Sequence, residues 1–146
     1  MASSTSTAIL RTPTRGARPS RRSGYCRTFL AALRTAATSA LAAMHLAPPG
    51  ARTMAIIGAG AQCEFQALAF KALCGIETVR IYDIDPAARR KAVANLTAQG
   101  IGAIPCRTNE DAILGAEIVT TCTADKRNAT ILTDNMIGAG VHINAT

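Results

Sequence analysis

Gly58-Ala59-Gly60 lies between a short apolar run, Thr53–Ile57, and a stretch patterned as an amphipathic helix. A first glycine at such a junction permits a tight turn, and a second lets the backbone come close to a bulky anion. The opening N–H groups of the helix have no intrahelical partners, and the helix dipole favours negative charge in front of them. Chemistry of this kind is phosphate binding, and the helix N-terminus from Ala61, with Gln62 beside it, supplies the donors. Cys63 stands where the third small residue of G-x-G-x-x-G belongs, so the match is partial. Asp83 follows 25 positions after Gly58, at the end of a second apolar run, Thr78–Tyr82. A carboxylate there accepts hydrogen bonds from ribose hydroxyls of a dinucleotide and repels a 2′-phosphate, which favours NAD over NADP. Two alternatives stay open. S-adenosylmethionine sites use a similar glycine turn and ribose acid. Asp83 could also cap a turn, although Asp85-Pro86 is the better N-cap pair.

Those residues need a scaffold that gathers strand ends at one edge. Helical spacing of Leu30, Leu33, Ala37, Leu41 and Met44 predicts an Ala-rich helix over residues 28–46, ended by Pro48-Pro49-Gly50. Strands and helices then alternate. Strand Thr53–Ile57 leads into helix Ala61–Leu73, with Phe65, Leu68, Ala69, Ala72 and Leu73 as its apolar stripe and Gly75 as its cap. Strand Thr78–Tyr82 leads into a helix from Pro86 to about Gln99. A weak strand, Ala103–Cys106, precedes a short helix capped by Asn109, whose Glu110 and Asp111 suit the dipole. Strand Glu117–Thr123, a polar loop, a helical turn near Asp134–Ile137 and strand Val141–Ala145 complete the order. Alternation of this kind predicts an α/β fold, a Rossmann-type doubly wound parallel sheet, here incomplete. Residues 1–27 form a disordered or unrelated segment, 28–50 a connecting helix and 51–146 the dinucleotide-binding domain. Thr121, Thr123 and Asn144 fall at carboxyl ends of strands, where ligands lie in such sheets. Threonine is equally a good strand residue.

Composition narrows the class. Hydrophobic residues make up 49% of the chain with 3% aromatics and no Trp, so the core must be aliphatic. The net charge of +7 resides in residues 1–50, which hold seven Arg and no acid. Residues 51–146 hold nine Lys/Arg and nine Asp/Glu and are neutral, which argues against a nucleic-acid-binding face. The five cysteines have no CxxC pair and no nearby His, so no metal site is expected; they read as reduced core residues of a cytoplasmic protein. No uninterrupted apolar stretch reaches the ~20 residues of a membrane span, so no membrane partner is expected. Residues 1–27 are Ser/Arg-rich and acid-free. They resemble an organellar transit peptide or sequence foreign to the fold.

Several motifs in order are familiar: LRTAATSALAA (33–43), IIGAGAQCEFQALAF (56–70), YDIDPAA (82–88), TTCTADKRNATILTDNM (120–136) and GVHINA (140–145). Together they resemble the ornithine cyclodeaminase/mu-crystallin family, its cyclodeaminase branch in particular, from about Thr28 to Ala145. The resemblance implies NAD and conversion of L-ornithine to L-proline and ammonia by transient hydride transfer, with the protein positioning the reactants. It implies that Arg34 meets the substrate carboxylate or the cofactor, a pairing suited to a bidentate guanidinium. It further implies that Ala61 and Gln62 touch the pyrophosphate and Asp83 the adenosine ribose. Thr123 and Ile143-Asn144-Ala145 would line the nicotinamide side. The family's proposed acid/base aspartate follows the HINA strand, beyond Thr146, so no catalytic residue is expected here, and turnover by this chain alone is not expected. Family members are homodimers with a preceding domain that residues 1–27 do not resemble. The alternatives are a non-catalytic nucleotide-binding module of the mu-crystallin type or a pseudogene-like fragment.

Overall fold

Three strands rich in β-branched and aliphatic residues, flanked by two weaker ones, pair into one parallel sheet. The computed structural model describes residues 22–123 and 131–146, with side chains from residue 27 onward. The elements run α1 (Arg22–Leu46), β1 (Thr53–Ile57), α2 (Cys63–Cys74), β2 (Thr78–Tyr82), α3 (Pro86–Ala98), β3 (Gly102–Pro105), α4 (Asn109–Ile113), β4 (Ile118–Thr121), a 3-10 turn (Asp134–Met136) and β5 (His142–Ala145). Strand order is β3-β2-β1-β4-β5. All neighbours are parallel, with Met54 opposite Val79 on one side and Ile118 on the other. The reversal of order at β1 is the switch point that a doubly wound sheet requires.

Alternation along the strands splits the core. Met54, Ile56, Val79, Ile81, Ile118 and Cys122 face one layer with α1, α2 and α3. Ala55, Ile57 and Val119 face the other, with Ala112, Ile113 and Ala116 around α4 and with Ile131, Leu132 and Val141 from the β4–β5 connection. The elements are anchored by local chemistry. Asp85 caps α3 by accepting from Ala87 N–H, with Pro86 at the first helical position. Gly75 ends α2 at φ 75°, a left-handed conformation that favours glycine. At the opposite end of the sheet from the glycine turn, Glu117 accepts from Arg52 N–H (2.7 Å) and Thr53 N–H (3.0 Å), tying the start of β4 to β1. These two bonds hold its carboxyl below the usual range.

The structure corrects several expectations. Helix α1 begins at Arg22, so residues 22–27, expected to be disordered, belong to it. Residues 1–21 and the ADKRNAT part of the quoted motif, residues 124–130, lie outside the described residues. The cap of α4 is Thr108, whose Oγ1 accepts from Asp111 N–H, and Asn109 is the first helical residue. Strands β3 to β5 are each shorter than, or displaced by a residue from, their predicted bounds.

The larger correction concerns which helical face is buried. On α1 it is Ala32, Ala36, Ser39, Ala40 and Ala43, and the leucines predicted as the stripe are half-exposed. On α2 it is Cys63, Gln66, Ala67 and Phe70; Leu68 and Ala69 are partly buried against the same core, whereas Ala72 and Leu73 are exposed. Alanines let α1 lie close on α2, and a helix rich in Ala and Leu offers two periodic faces between which spacing alone does not choose. The polar pair Gln66 Nε2 to Ser39 Oγ (3.4 Å) sits inside this contact. Over Arg27–Leu46 helix α1 is long and apolar enough to cross a membrane by length and composition alone, with mean hydropathy 1.3, although Arg34 interrupts the apolar run. It nevertheless packs on α2 and carries Arg34 mid-length, a placement that is costly in a bilayer.

Ala36 is fully buried between α1 and α2. Ala36→Leu therefore overpacks the contact, and urea denaturation is expected to show a loss of about 1–3 kcal/mol. Ala37→Leu, one residue on and exposed, is expected to be within about 0.5 kcal/mol of the parent.

Candidate functional site

Three neighbouring strands converge on the glycine turn. Gly58 has φ 107°, a conformation that a side chain opposes. A Cβ there would lie 2.8 Å from the Cys122 carbonyl carbon and oxygen and 3.1 Å from Thr123 N. Its N–H donates to Tyr82 O (2.8 Å), and Cys122 N–H donates to Ile57 O (2.7 Å). The end of β1 is thus held between the ends of β2 and β4. Ala59 N–H donates to Asp83 Oδ2 (2.5 Å), and Asp85 N–H to Asp83 Oδ1 (2.7 Å).

Asp83 therefore anchors the loop as well as facing the place expected of a ribose ligand. Its two oxygens offer about four lone-pair directions, so two remain for ligand hydroxyls. The alternative of a turn-capping role is realised in the bond to Asp85 N–H.

Gly60 is open where Gly58 is closed: nothing among the described residues lies within 4 Å of a Cβ built on it. Among the described residues no acceptor meets the N–H groups of Gly60, Ala61 or Gln62. Gln62 Oε1 is buried and meets no partner among the described residues. Helix α2 starts at Cys63 with Gln62 as N-cap, two residues later than expected, so Ala61 and Gln62 form a turn that widens the cradle. An open glycine, a row of free donors and a helix dipole fit the pyrophosphate of a dinucleotide.

Cys63 and Cys122 lie beneath this loop in one core cluster. A thiol at a helix N-terminus is ordinarily acidified. Here burial wins: removal from water, reinforced by Cys122, Glu64 and Asp83, pushes Cys63 up to about 12. Burial likewise pushes Cys122 up to about 11. Both are packing groups rather than nucleophiles at neutral pH.

The remaining predicted residues are distributed unevenly. Thr123 is part-buried beside Gly58. Asn144 turns toward the α1 side of the sheet, its Nδ2 donating to the buried Thr120 Oγ1 (3.4 Å). Ile143 and Ala145 point to the opposite face and are exposed. Alternation along a strand separates the three, so they do not line one face together. Arg34 is exposed on α1, midway between buried Ala32 and Ala36 and hence on the far side of the helix. The structure does not bring it to the loop. Sequence reasoning missed the Cys122 carbonyl as the wall behind Gly58, and missed Gln66. The latter had a signal, a glutamine within an apolar helix four residues after Gln62.

Parallel sheet, switch point, glycine turn and anchored aspartate define a Rossmann-type dinucleotide-binding domain. The profile of the ornithine cyclodeaminase/mu-crystallin family matches residues 2–146, and the chain belongs to that family. This match includes the N-terminal segment that the sequence reading set apart. An ornithine cyclodeaminase of Brucella abortus biovar 1 (strain 9-941) is 65% identical over 118 residues, covering 81% of this chain and 33% of the relative. The ketimine reductase mu-crystallin of Macropus fuliginosus is 34% identical over 119 residues, or 80% of this chain and 36% of that protein. The structure of Thermococcus litoralis Δ1-pyrroline-2-carboxylate reductase with NADH and L-proline has a TM-score of 0.76 at 29% identity, covering 81% of this chain and 36% of that one. The chain spans about a third of the length of these relatives.

Two expectations follow. Gly58→Ala is expected to lower stability by at least about 2 kcal/mol, because it opposes the backbone conformation and strikes the Cys122 carbonyl. Gly60→Ala is expected to leave the melt within about 1 kcal/mol and to weaken dinucleotide binding; paired thermal melts and calorimetric titrations separate the two. The thiols set an alkaline limit. A folded pKa of about 12 for Cys63, against its ordinary 9.0, makes a contribution fully present below pH 9 and lost as pH rises toward 12. The urea midpoint is expected to fall between pH 9 and 11, and less steeply in Cys63→Ala.

Proposed function

We propose that this chain supplies the dinucleotide-binding part of an ornithine cyclodeaminase, the enzyme that converts L-ornithine to L-proline and ammonia and is thereby an ammonia-lyase. One observation carries the reading: the Gly58 turn is locked by β2 and β4, while Gly60 and the N–H groups after it stand open. The 65% identity to the Brucella enzyme supports the substrate class. The NADH and L-proline of the Thermococcus reductase support the cofactor and the ring product.

In this reading Gly58, Gly60, Ala61 and Gln62 seat the pyrophosphate of NAD, and Asp83 accepts from the adenosine ribose. When bound, NAD supplies reversible acceptance and return of the hydride. Thr123, with Ile143, Asn144 and Ala145 at the β5 end, borders the nicotinamide side, where Asn144 is held by Thr120. Arg34 receives the substrate carboxylate as a bidentate guanidinium, which requires α1 to present its outer side to the substrate. No described residue is assigned the acid/base role.

Calorimetry with the purified chain tests the reading. NAD is expected to bind saturably and Asp83→Ala to weaken it at least tenfold, about 1.4 kcal/mol. NADP is expected to bind far more weakly than NAD, because Asp83 repels the 2′-phosphate. Equal affinity for the two cofactors, or no binding by a chain that melts cooperatively, would sink the proposal.

A further inference from the structure

Helix α2 carries a carboxylate on its first turn, directly behind the open N–H groups of the cradle: Glu64 is the second residue of the helix. Acidic side chains in a first turn reach back to free N–H groups at the helix start, and the helix dipole draws them there. A carboxylate so placed occupies the donors that a pyrophosphate needs and repels its negative charges.

Glu64 is held elsewhere. Asn95 Nδ2 donates to Glu64 Oε1 at 2.7 Å, in a part-buried contact between α3 and α2. Helix α3 starts at Pro86, beside Asp83 at the carboxyl edge of the sheet. Asn95 lies nine residues further on, about 13 Å along the helix axis. The bond therefore draws Glu64 down the seam between the helices, away from the edge where the cradle opens. Seven residues on and on the same side of α2, Lys71 Nζ donates to Gln99 O (2.9 Å) and Gly100 O (3.0 Å), so the seam is closed at two levels. Among the described residues the ion pairs join Arg52 to Glu77 and Arg80 to Asp111, and Glu64 belongs to neither. Its partner is a neutral amide, which fixes the carboxylate in place without cancelling its charge. That charge is felt at the loop, where it helps push the Cys63 thiol up.

We propose that Asn95 is a positioning residue for the nucleotide site: it retracts the Glu64 carboxylate and so keeps the N–H groups of Gly60, Ala61 and Gln62 free for a pyrophosphate. This role rests on the reading of the loop as a dinucleotide site. Released from Asn95, Glu64 becomes an intramolecular competitor for the same donors, at a high effective concentration.

Calorimetric titration of NAD into the full chain tests the role. Asn95→Leu is expected to weaken NAD binding at least about fivefold, as a carboxylate brought near two phosphates does, with a cooperative melt retained. Glu64→Ala removes the same hydrogen bond together with the charge, and is expected to bind NAD at least as tightly as the parent. Loss of a merely structural clasp would weaken both variants alike. In the Glu64→Ala background, Asn95→Leu is expected to cost less than about twofold, because the two residues act as one unit. Added salt is expected to narrow the gap between Asn95→Leu and the parent, since the competitor is a charge. Should Asn95→Leu fail to melt cooperatively, Asn95→Asp replaces it: the shape is kept, its carboxylate repels Glu64, and the same weakening is expected. The role is overturned if the Asn95 variant binds NAD as tightly as the parent, if Glu64→Ala binds more weakly, or if salt leaves the gap unchanged. A parent that melts cooperatively and binds no NAD overturns the dinucleotide reading itself, and this role with it.

Discussion

Everything at the carboxyl edge of the sheet depends on the contact between Gly58 and the Cys122 carbonyl. Because no side chain separates them, β1 and β4 can exit the sheet side by side, and the loop after β1 is supported from behind by main chain. The bond from Gly58 N–H to Tyr82 O and the clasp of Ala59 by Asp83 complete the support from β2. The loop's shape is therefore set by strand register, which the hydrophobic alternation of β1, β2 and β4 fixes. A slip of one residue in β4 would move Cys122 away from Gly58 and release the turn.

Helix α1 completes a layer that α2 and α3 leave open. Crossovers β1–α2–β2 and β2–α3–β3 run toward one edge and place their helices on one side of the sheet, whereas α4 and the β4–β5 connection lie on the other. The side over β4 and β5 then needs cover, and α1 provides it by lying along α2 with Ala40 and Ala43 in the shared core. Alanine does this well: it loses no side-chain entropy on burial and permits close helix approach. The leucines cannot occupy that contact, and their exposure follows.

The fold was largely legible because its signals were redundant. Strands β1, β2 and β4 were short runs rich in β-branched residues, most helices were bracketed by Pro, Gly or a capping side chain, and alternation admitted one architecture. Gly58, Gly60 and Asp83 were legible for a similar reason, since spacing and position agreed. What escaped was decided by packing between elements. Periodicity marks a helix but not which of two apolar faces is buried, hence the inverted reading of α1 and α2. Strand membership places Ile143, Asn144 and Ala145 near the edge, but the pleat turns only Asn144 toward Thr120. Arg34 was named from a motif, and its distance from the loop is a tertiary fact. Cys63 looked like a flaw in a glycine pattern, and the structure makes it the floor beneath the loop.

The registration of β1 between its two neighbours also orders assembly in time. Met54 meets Val79 across 25 residues but Ile118 across 64. Loop-closure entropy grows only logarithmically, so the longer closure costs about 0.8 kcal/mol more. Rates respond more strongly to distant contacts, and long-range parallel pairing is slow. The unit from β1 to β3 can therefore form through local steps while β4 is still unpaired. Until β4 docks, the Cys122 carbonyl is not behind Gly58, so the nucleotide-facing loop reaches its final shape in the last stage of folding.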